Sequence, residues 1–520
     1  MRFLNKQVAA PLPPAMPYAG AYRRPSPRSG QALRVLMVLI LVLLTAFASA
    51  VVALGSYQLT VIVLAILLVG PVIAVVHVRE LLPLLLVYVL LIQGVAEEFF
   101  KLRFAVWAGS GLAFFFLGRA LLEAGILRRR EDVAAARSGA ALSVAVAAGL
   151  YLACFFFGLA LGSGNLMQNV SALRFGLPMF GLLIAMYFLP FSERYLQLLW
   201  TLIVVVVLLQ PPVVVYQHFF GKGLLDWDAV VGTFGHGMSP VLVLFTLAAM
   251  LYALARWMRG LSSLWLVLLL LVAGMANILL GEVKAIAFWL PVGLMLILRQ
   301  RILRNVGAFI MYSSFVALVM SATFVAYKTM YWGKAAHSGT VMGTVDKAGG
   351  YFFDPYEIKY GTGEVSRIAS LYIWYRDPIP PAVNRLIGYG PGASQISDST
   401  GFGVVAARYR PLQINATALS TLLWDVGILG ALSYIALIGC AILAGWRFVV
   451  RGQGTPQLMA MVDTSMVTLV LLASTLIYNR NLLDSTTVQL LFFFCLGTIV
   501  QACRFGQRPP AAPAPAQERP

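Results

Sequence analysis

Residues 239–256 read SPVLVLFTLAAMLYALAR. After the basic turn RWMRG (256–260), residues 262–280 read SSLWLVLLLLVAGMANILL. A helix rises 1.5 Å per residue and the hydrocarbon layer is about 30 Å thick, so a spanning helix needs about 20 apolar residues. Both runs meet that length. The turn between them carries the Lys/Arg excess that marks a cytoplasmic connection. The pair therefore reads as two transmembrane helices joined on the inner side.

The same reading extends outward over nearly the whole chain. Further runs of spanning length lie near 35–55, 57–77, 81–96, 104–123, 139–162, 178–191, 195–216, 284–298, 306–326, 417–446, 459–478 and 485–503. About fourteen helices are expected. Of 520 residues, 60% are hydrophobic and only 11% charged, and the mean hydropathy is +0.85. No soluble globular chain has that balance, so the fold class is all-α, a polytopic transmembrane bundle. The net charge of +18 is read as topological rather than as a nucleic-acid footprint, because HVRE (77–80), LRRREDVAAAR (127–137), SERY (192–195), RQRILRN (299–305) and RFVVRG (447–452) all fall on one side if the N-terminus is inside.

This parity divides the chain. Residues 1–33 are a disordered basic cytoplasmic tail, Pro-rich with Arg23, Arg24 and Arg28. Helices 1–11 occupy 34–326, helices 12–14 occupy 416–504, and 505–520 is a second disordered cytoplasmic tail. AFASA (46–50) has the small-residue pattern of a signal-peptidase site, but the basic region before it is longer than that of an ordinary signal peptide. The four Cys and four His are scattered, which gives neither a disulfide framework nor a metal-ligand spacing. No metal and no cofactor are expected. There is no strong repeat between halves, which weakens a transporter built from inverted repeats.

Residues 327–415 are the longest interval without a spanning run. They carry four Lys and five Arg against six acids, and are rich in Tyr, Trp, Gly and Pro. So long a loop in a compact protein is functional or disordered; its aromatics and a helical run at 364–377 argue for order. It is expected to be periplasmic, partly helical and the seat of any chemistry. Two other features face the same side: QHFFGKGLLDWDAVVGTFGHGMSP from Gln217, and ANILLGEVKAIAFWLP, which puts Glu282 and Lys284 at the outer end of a helical hairpin. Ionisable residues at a membrane edge are costly, so they are functional candidates.

The order of Gly232-Thr233-Phe234, Lys284, Arg367, Gly388-Tyr389-Gly390-Pro391-Gly392 and Asp425-x-Gly427-x-x-Gly430 resembles the O-antigen ligase and Wzy-type polysaccharide polymerase superfamily over roughly residues 165–445. The resemblance implies a bacterial inner-membrane glycosyltransferase that moves a glycan from a polyprenyl-diphosphate donor to an acceptor glycan at the periplasmic face. It implies a bilayer, a chain-length regulator and a flippase as partners. Ligases of the family carry a His just before the last helix of the motif. Here Gln413, Asn415 and Thr417 stand there instead, which leans the resemblance to a polymerase. A ligase acting on lipid A core, and a transporter of lipid-linked glycan or an anion, remain the rivals.

Such chemistry needs fixed cations for the departing diphosphate and a base for the acceptor hydroxyl. The catalytic candidates are Arg367, Lys284, Glu282 and Asp377. The substrate-binding candidates are Arg174, Gln217, His236, Arg376, Arg385, Gly390, Arg408, Arg410 and Asn415. Each has a plainer reading. Arg367 can pair with Glu364, Lys284 with Glu282, and Arg376 with Asp377. Arg174 can be an interfacial anchor and His236 a cap. Arg385, Arg408 and Arg410 can hold the loop to lipid headgroups. The glycines can simply turn the chain. Tyr372, Trp374 and Tyr375 can stack on sugars or pack the loop onto the membrane.

Overall fold

A computed structural model of the chain describes residues 76–505 apart from 103, 127–138, 163–165, 222–228, 304, 328–352, 379–381, 398–400 and 453. Both expected tails, the first two expected helices up to residue 75, the basic loop 127–137 and the first part of the long loop lie outside the described residues.

The described chain is helical. In order it forms α1 (Val78–Glu98), α2 (Phe104–Ile126), α3 (Gly139–Leu161), α4 (Leu166–Gly176), α5 (Phe180–Phe188), α6 (Glu193–Leu208), α7 (Gln210–Phe219), α8 (Ser239–Met258), α9 (Leu264–Leu280), α10 (Ile286–Ile302) and α11 (Val306–Tyr327). After the long loop come α15 (Ala418–Asp425), α16 (Gly427–Val450), α17 (Pro456–Tyr478), α18 (Asn481–Asp484) and α19 (Thr486–Phe505). Eight helices among the described residues are long and apolar enough to cross a membrane, with α6 and α7 forming one of them; the bent pair α4–α5 makes a ninth if taken as one span. The protein is a multi-pass helical membrane protein. Every expected run from 81–96 onward is helical, but the runs 262–280, 284–298 and 306–326 form helices that are not among those eight, α9 being only 17 residues long, and two more runs differ in shape. The run 178–191 is only the second half of the bent pair. The run 417–446 is broken at Val426.

Helix starts follow local chemistry. Ser192, Ser263 and Thr455 each accept a hydrogen bond from the backbone N–H three residues on, which satisfies a donor the helix leaves unpaired. The bundle is organised around α19, whose whole apolar window is buried, with α8 and α17 beside it. That is why α19 is apolar on every side rather than on one stripe. α16 packs along α3, and α5 packs between α2 and α19.

The helix ends sort by charge. At one end, Arg259 and Arg299 both pair with Asp463 at 2.8 Å. The Arg299 guanidinium lies 4.8 Å from the Trp446 ring centre, and Thr455 donates to Glu193. Among the described residues, the connections at 192–195, 256–260, 299–305 and 447–452 thus lie at one end of the bundle. The long loop meets the other: Ala418 N–H, just after it, donates to Asn479 O at 2.9 Å, and Ser171 of α4 donates to Gln395 of the loop at 3.0 Å.

The described part of the loop folds on its own core. Hairpin β1–β2 (Ile358–Lys359, Glu364–Val365) leads into α12 (Arg367–Arg376), then α13 (Ala382–Ile387), hairpin β3–β4 (Ile396–Ser397, Gly401–Phe402) and α14 (Val404–Arg408). Val365, Ala369, Tyr389, Val405 and Ile414 pack with Trp424 of α15. One buried tryptophan therefore ties the loop to the bundle.

Candidate functional site

The break between α15 and α16 creates the site. Gly427 has φ +68°, a conformation only glycine adopts cheaply. It stops α15 at Asp425 and turns the chain against the GYGPG segment. A Cβ on Gly427 would stand 2.4 Å from both the Gly388 nitrogen and the Leu386 oxygen, so the two segments touch backbone to backbone. Tyr389 N–H donates to Trp424 O at 2.9 Å, and Gly390 N–H to Asp425 O at 3.0 Å. The Asp425 carboxylate then accepts from Gly392 N–H at 2.8 Å and from Ser394 N–H at 2.9 Å.

Asp425 also borders a small cavity of about 60 Å³ between the loop and α3, α4, α15 and α18, with Asn415, Gln395, Asp484 and Tyr151 on its walls. That is room for a hydroxyl group or a few waters, not for a whole sugar. Asp425 lies just before the span Gly427–Val450. Burial pushes its carboxyl up to about 6, while the N–H groups of Ser394 and Gly392 work the other way. Burial also raises Asp484, opposed by its ion pair with Arg480 at 2.9 Å. A carboxyl titrating near 6 and held by fixed donors is suited to take a proton near neutral pH. Arg480 puts a half-exposed cation one helical turn from the cavity wall.

The expected residues scatter around this centre. Asn415 is buried and lines the cavity, and Gly390 holds Asp425 through its backbone. Arg367 opens α12 and donates to Ala416 O at 2.8 Å, next to Asn415, so it reaches the segment that forms one wall. Glu364 pairs instead with Lys359 at 2.9 Å. Asp377 is buried in the loop, where it accepts from Tyr389 at 3.3 Å. Arg385 donates to Asp377 O at 3.0 Å and fastens α13 to the end of α12. Arg376 donates to Tyr372 at 2.8 Å, Arg408 lies over the Tyr389 ring and Arg410 over the Phe402 ring. Arg174 donates to Ser110 at 3.1 Å and stacks 3.7 Å from the Trp107 ring centre.

Gln217 is a bracket. It accepts from Val231 and Gly232 N–H and donates to Gly232 O. Gln210 clasps Thr233 in the same way at 2.8–2.9 Å. The Gly-Thr-Phe element is thus fixed by two glutamines in the bundle. His236 is exposed beyond it. Glu282 and Lys284 sit in the turn between α9 and α10, with Glu282 at φ +55°. That turn and the Gly-Thr-Phe element share one end of the bundle, since both Gly281 and Gly232 approach Leu242.

The residues that sequence reasoning did not select are Asp425 itself, Asp484, Arg480 and Gln395. Asp425 stood inside the quoted Asp-x-Gly-x-x-Gly motif. A carboxylate next to a helix-breaking glycine was the available signal. Among the described residues, no group of three or more His, Cys, Asp or Glu is placed to hold a metal ion. Comparison with known proteins gives no family model that matches this chain and no curated protein similar to it in sequence.

Proposed function

We propose that this protein is a metal-independent glycosyltransferase of the polymerase type in the bacterial inner membrane, with both termini cytoplasmic and residues 327–415 periplasmic. It takes a glycan from a polyprenyl diphosphate and adds it to an acceptor glycan. The observation that carries the reading is Asp425: a carboxylate raised toward neutral pH, fixed by two backbone donors, and bordering a small, mostly apolar cavity into which Asn415, Gln395 and Asp484 bring polar groups where the loop meets the bundle.

In this reading Asp425 accepts the proton of the acceptor hydroxyl as its oxygen attacks the anomeric carbon. The bond from that carbon to the phosphate oxygen breaks, and its electron pair leaves on the diphosphate. Asn415 and Gln395 orient the hydroxyl. Arg480 and Arg367 balance the growing negative charge; Arg suits this because its planar fork matches phosphate oxygens. The apolar flanks of α3 and α4 beside the cavity suit a polyprenyl chain, and the sugars face the loop.

The test is reconstitution in proteoliposomes with polyprenyl-diphosphate-linked repeat units and no ion gradient. Longer lipid-linked glycan should form. If lipid-linked glycan only changes leaflet, or moves only when an ion gradient is imposed, a transporter is the better reading.

A further inference from the structure

The loop carries a second concavity, separate from the cavity at Asp425. It is an open groove of about 390 Å³ lined by Tyr356, Tyr360, Tyr372, Arg376, Pro378 and Tyr409. Its size falls within the range of small-molecule sites.

The rings of Tyr356, Tyr360 and Tyr372 are not needed to fill the loop's interior, whose core is made by Val365, Ala369, Val405 and Trp424; Tyr409 packs against that core and closes one side of the groove. Tyr356 is 72% exposed and Tyr360 is 68% exposed. The floor is nonetheless ordered by direct contacts. The Tyr356 ring meets Tyr372 edge-on at 5.4 Å, and the two hydroxyls are hydrogen-bonded. Arg376 donates from Nε to the Tyr372 hydroxyl at 2.8 Å. Tyr372 and Arg376 are four residues apart on α12, so one helix face presents both.

We propose that this groove binds a segment of glycan, holding the acceptor chain while its end reacts at Asp425. This rests on the glycosyl-transfer reading. A sugar ring has an apolar C–H face and a rim of hydroxyls. A tyrosine has an apolar face and one hydroxyl, and gives large contact area at low entropic cost. Four tyrosines around a concavity therefore match a saccharide better than a flat bilayer surface. The free nitrogens of the Arg376 fork supply donors to ring oxygens or to a sugar carboxylate. Placement agrees with the role: the first residue of α12, Arg367, reaches Ala416 beside the Asp425 cavity, while Tyr372 and Arg376, further along the same helix, face the groove. One helix links the two sites.

The experiment uses the full-length protein in nanodiscs. The probes are oligosaccharides cut from the host's own envelope polysaccharide, and vesicles containing phosphatidylglycerol. Saturation-transfer NMR and calorimetry read binding. Wild type should bind the oligosaccharides. The double variant Tyr356→Ala/Tyr360→Ala should bind at least tenfold more weakly, and Arg376→Ala several-fold more weakly, with thermal unfolding unchanged because these side chains are exposed. Gly439→Ala, in the span α16 where an added Cβ meets nothing within 4 Å, should bind like wild type. Binding equal in wild type and the double variant overturns the proposal, as does no binding by wild type. Loss of vesicle binding with oligosaccharide binding intact would make the tyrosines a membrane anchor. If tyrosine-dependent binding persists but no transfer occurs under any condition, the groove stands and the transferase reading falls.

Discussion

Replacing Gly427 with alanine tests the joint on which the site depends. Gly427 holds φ +68°, where an L side chain costs about 1–2 kcal/mol. The added Cβ would sit 2.4 Å from the Gly388 nitrogen and the Leu386 oxygen. Both are backbone atoms, so neither can rotate away, and relief requires the loop to move by about 1 Å to reach ordinary contact. Such a shift breaks the bonds from Gly392 and Ser394 to Asp425, now 2.8 and 2.9 Å. Hydrogen bonds to a charged group contribute about 1.5–3 kcal/mol each. The sum is about 4 kcal/mol or more. Gly439 is the control: it lies in the same helix, α16, and a Cβ there meets nothing within 4 Å. Gly439→Ala should be neutral or stabilise by up to about 1 kcal/mol, because alanine is the better helix former. Unfolding of both variants followed by tryptophan fluorescence, with transfer activity in parallel, reads the difference. If Gly427→Ala melts within about 1 kcal/mol of Gly439→Ala and keeps its activity, the backbone contact does not position Asp425.

Four further outcomes are expected. Asp463→Asn leaves Arg259 and Arg299 facing each other in the bundle, and should cost about 3 kcal/mol or more in unfolding; Glu364→Gln in the exposed Lys359 pair should change it by less than about 1 kcal/mol. Arg367→Ala should lower transfer about a hundredfold per folded protein, with Arg367→Lys recovering only part, since a point charge cannot give the two-pronged contact. Transfer against pH should show an acid limb near 6, because the Asp425 carboxyl must be ionised to accept a proton. The linked stability effect has the opposite sign. A carboxyl raised from 3.8 to about 6 favours the folded state while protonated, so its contribution falls as pH rises from about 4 to 6 and then levels off. Calorimetric melts of wild type and Asp425→Asn over that range check it.

The bundle was legible because lipid imposes a length and an apolar composition that few other environments produce. Basic connections could be assigned to one side by charge alone, and Arg259, Arg299 and Asp463 do meet at one end. The bends were not legible. Leu177 and Pro178 interrupt α4–α5, and Val426–Gly427 interrupts 417–446, where hydropathy stays high across the break. Of the candidate site, Asn415, Gly390 and Arg367 were found through motif order. Lys284 came from the same motif order but lies in the α9–α10 turn, and most of the others were selected by charge, which does not distinguish a catalytic arginine from one that fastens a loop. Arg385 on Asp377 O and Arg410 over Phe402 do fastening work. Asp484 and Arg480 were missed because they follow a spanning run by a few residues and look like an ordinary helix end. Only the fold brings α18 beside α15.

The most direct test of the central claim is the transfer rate of Asp425→Asn, measured per folded protein in proteoliposomes supplied with lipid-linked repeat units. Asparagine keeps the shape but cannot take a proton, and loss of a general base costs about 100- to 10,000-fold. The account predicts a fall in that range with the acid limb near pH 6 abolished, while detergent-solubilised protein remains folded. A rate within about threefold of wild type, with the limb intact, would contradict it.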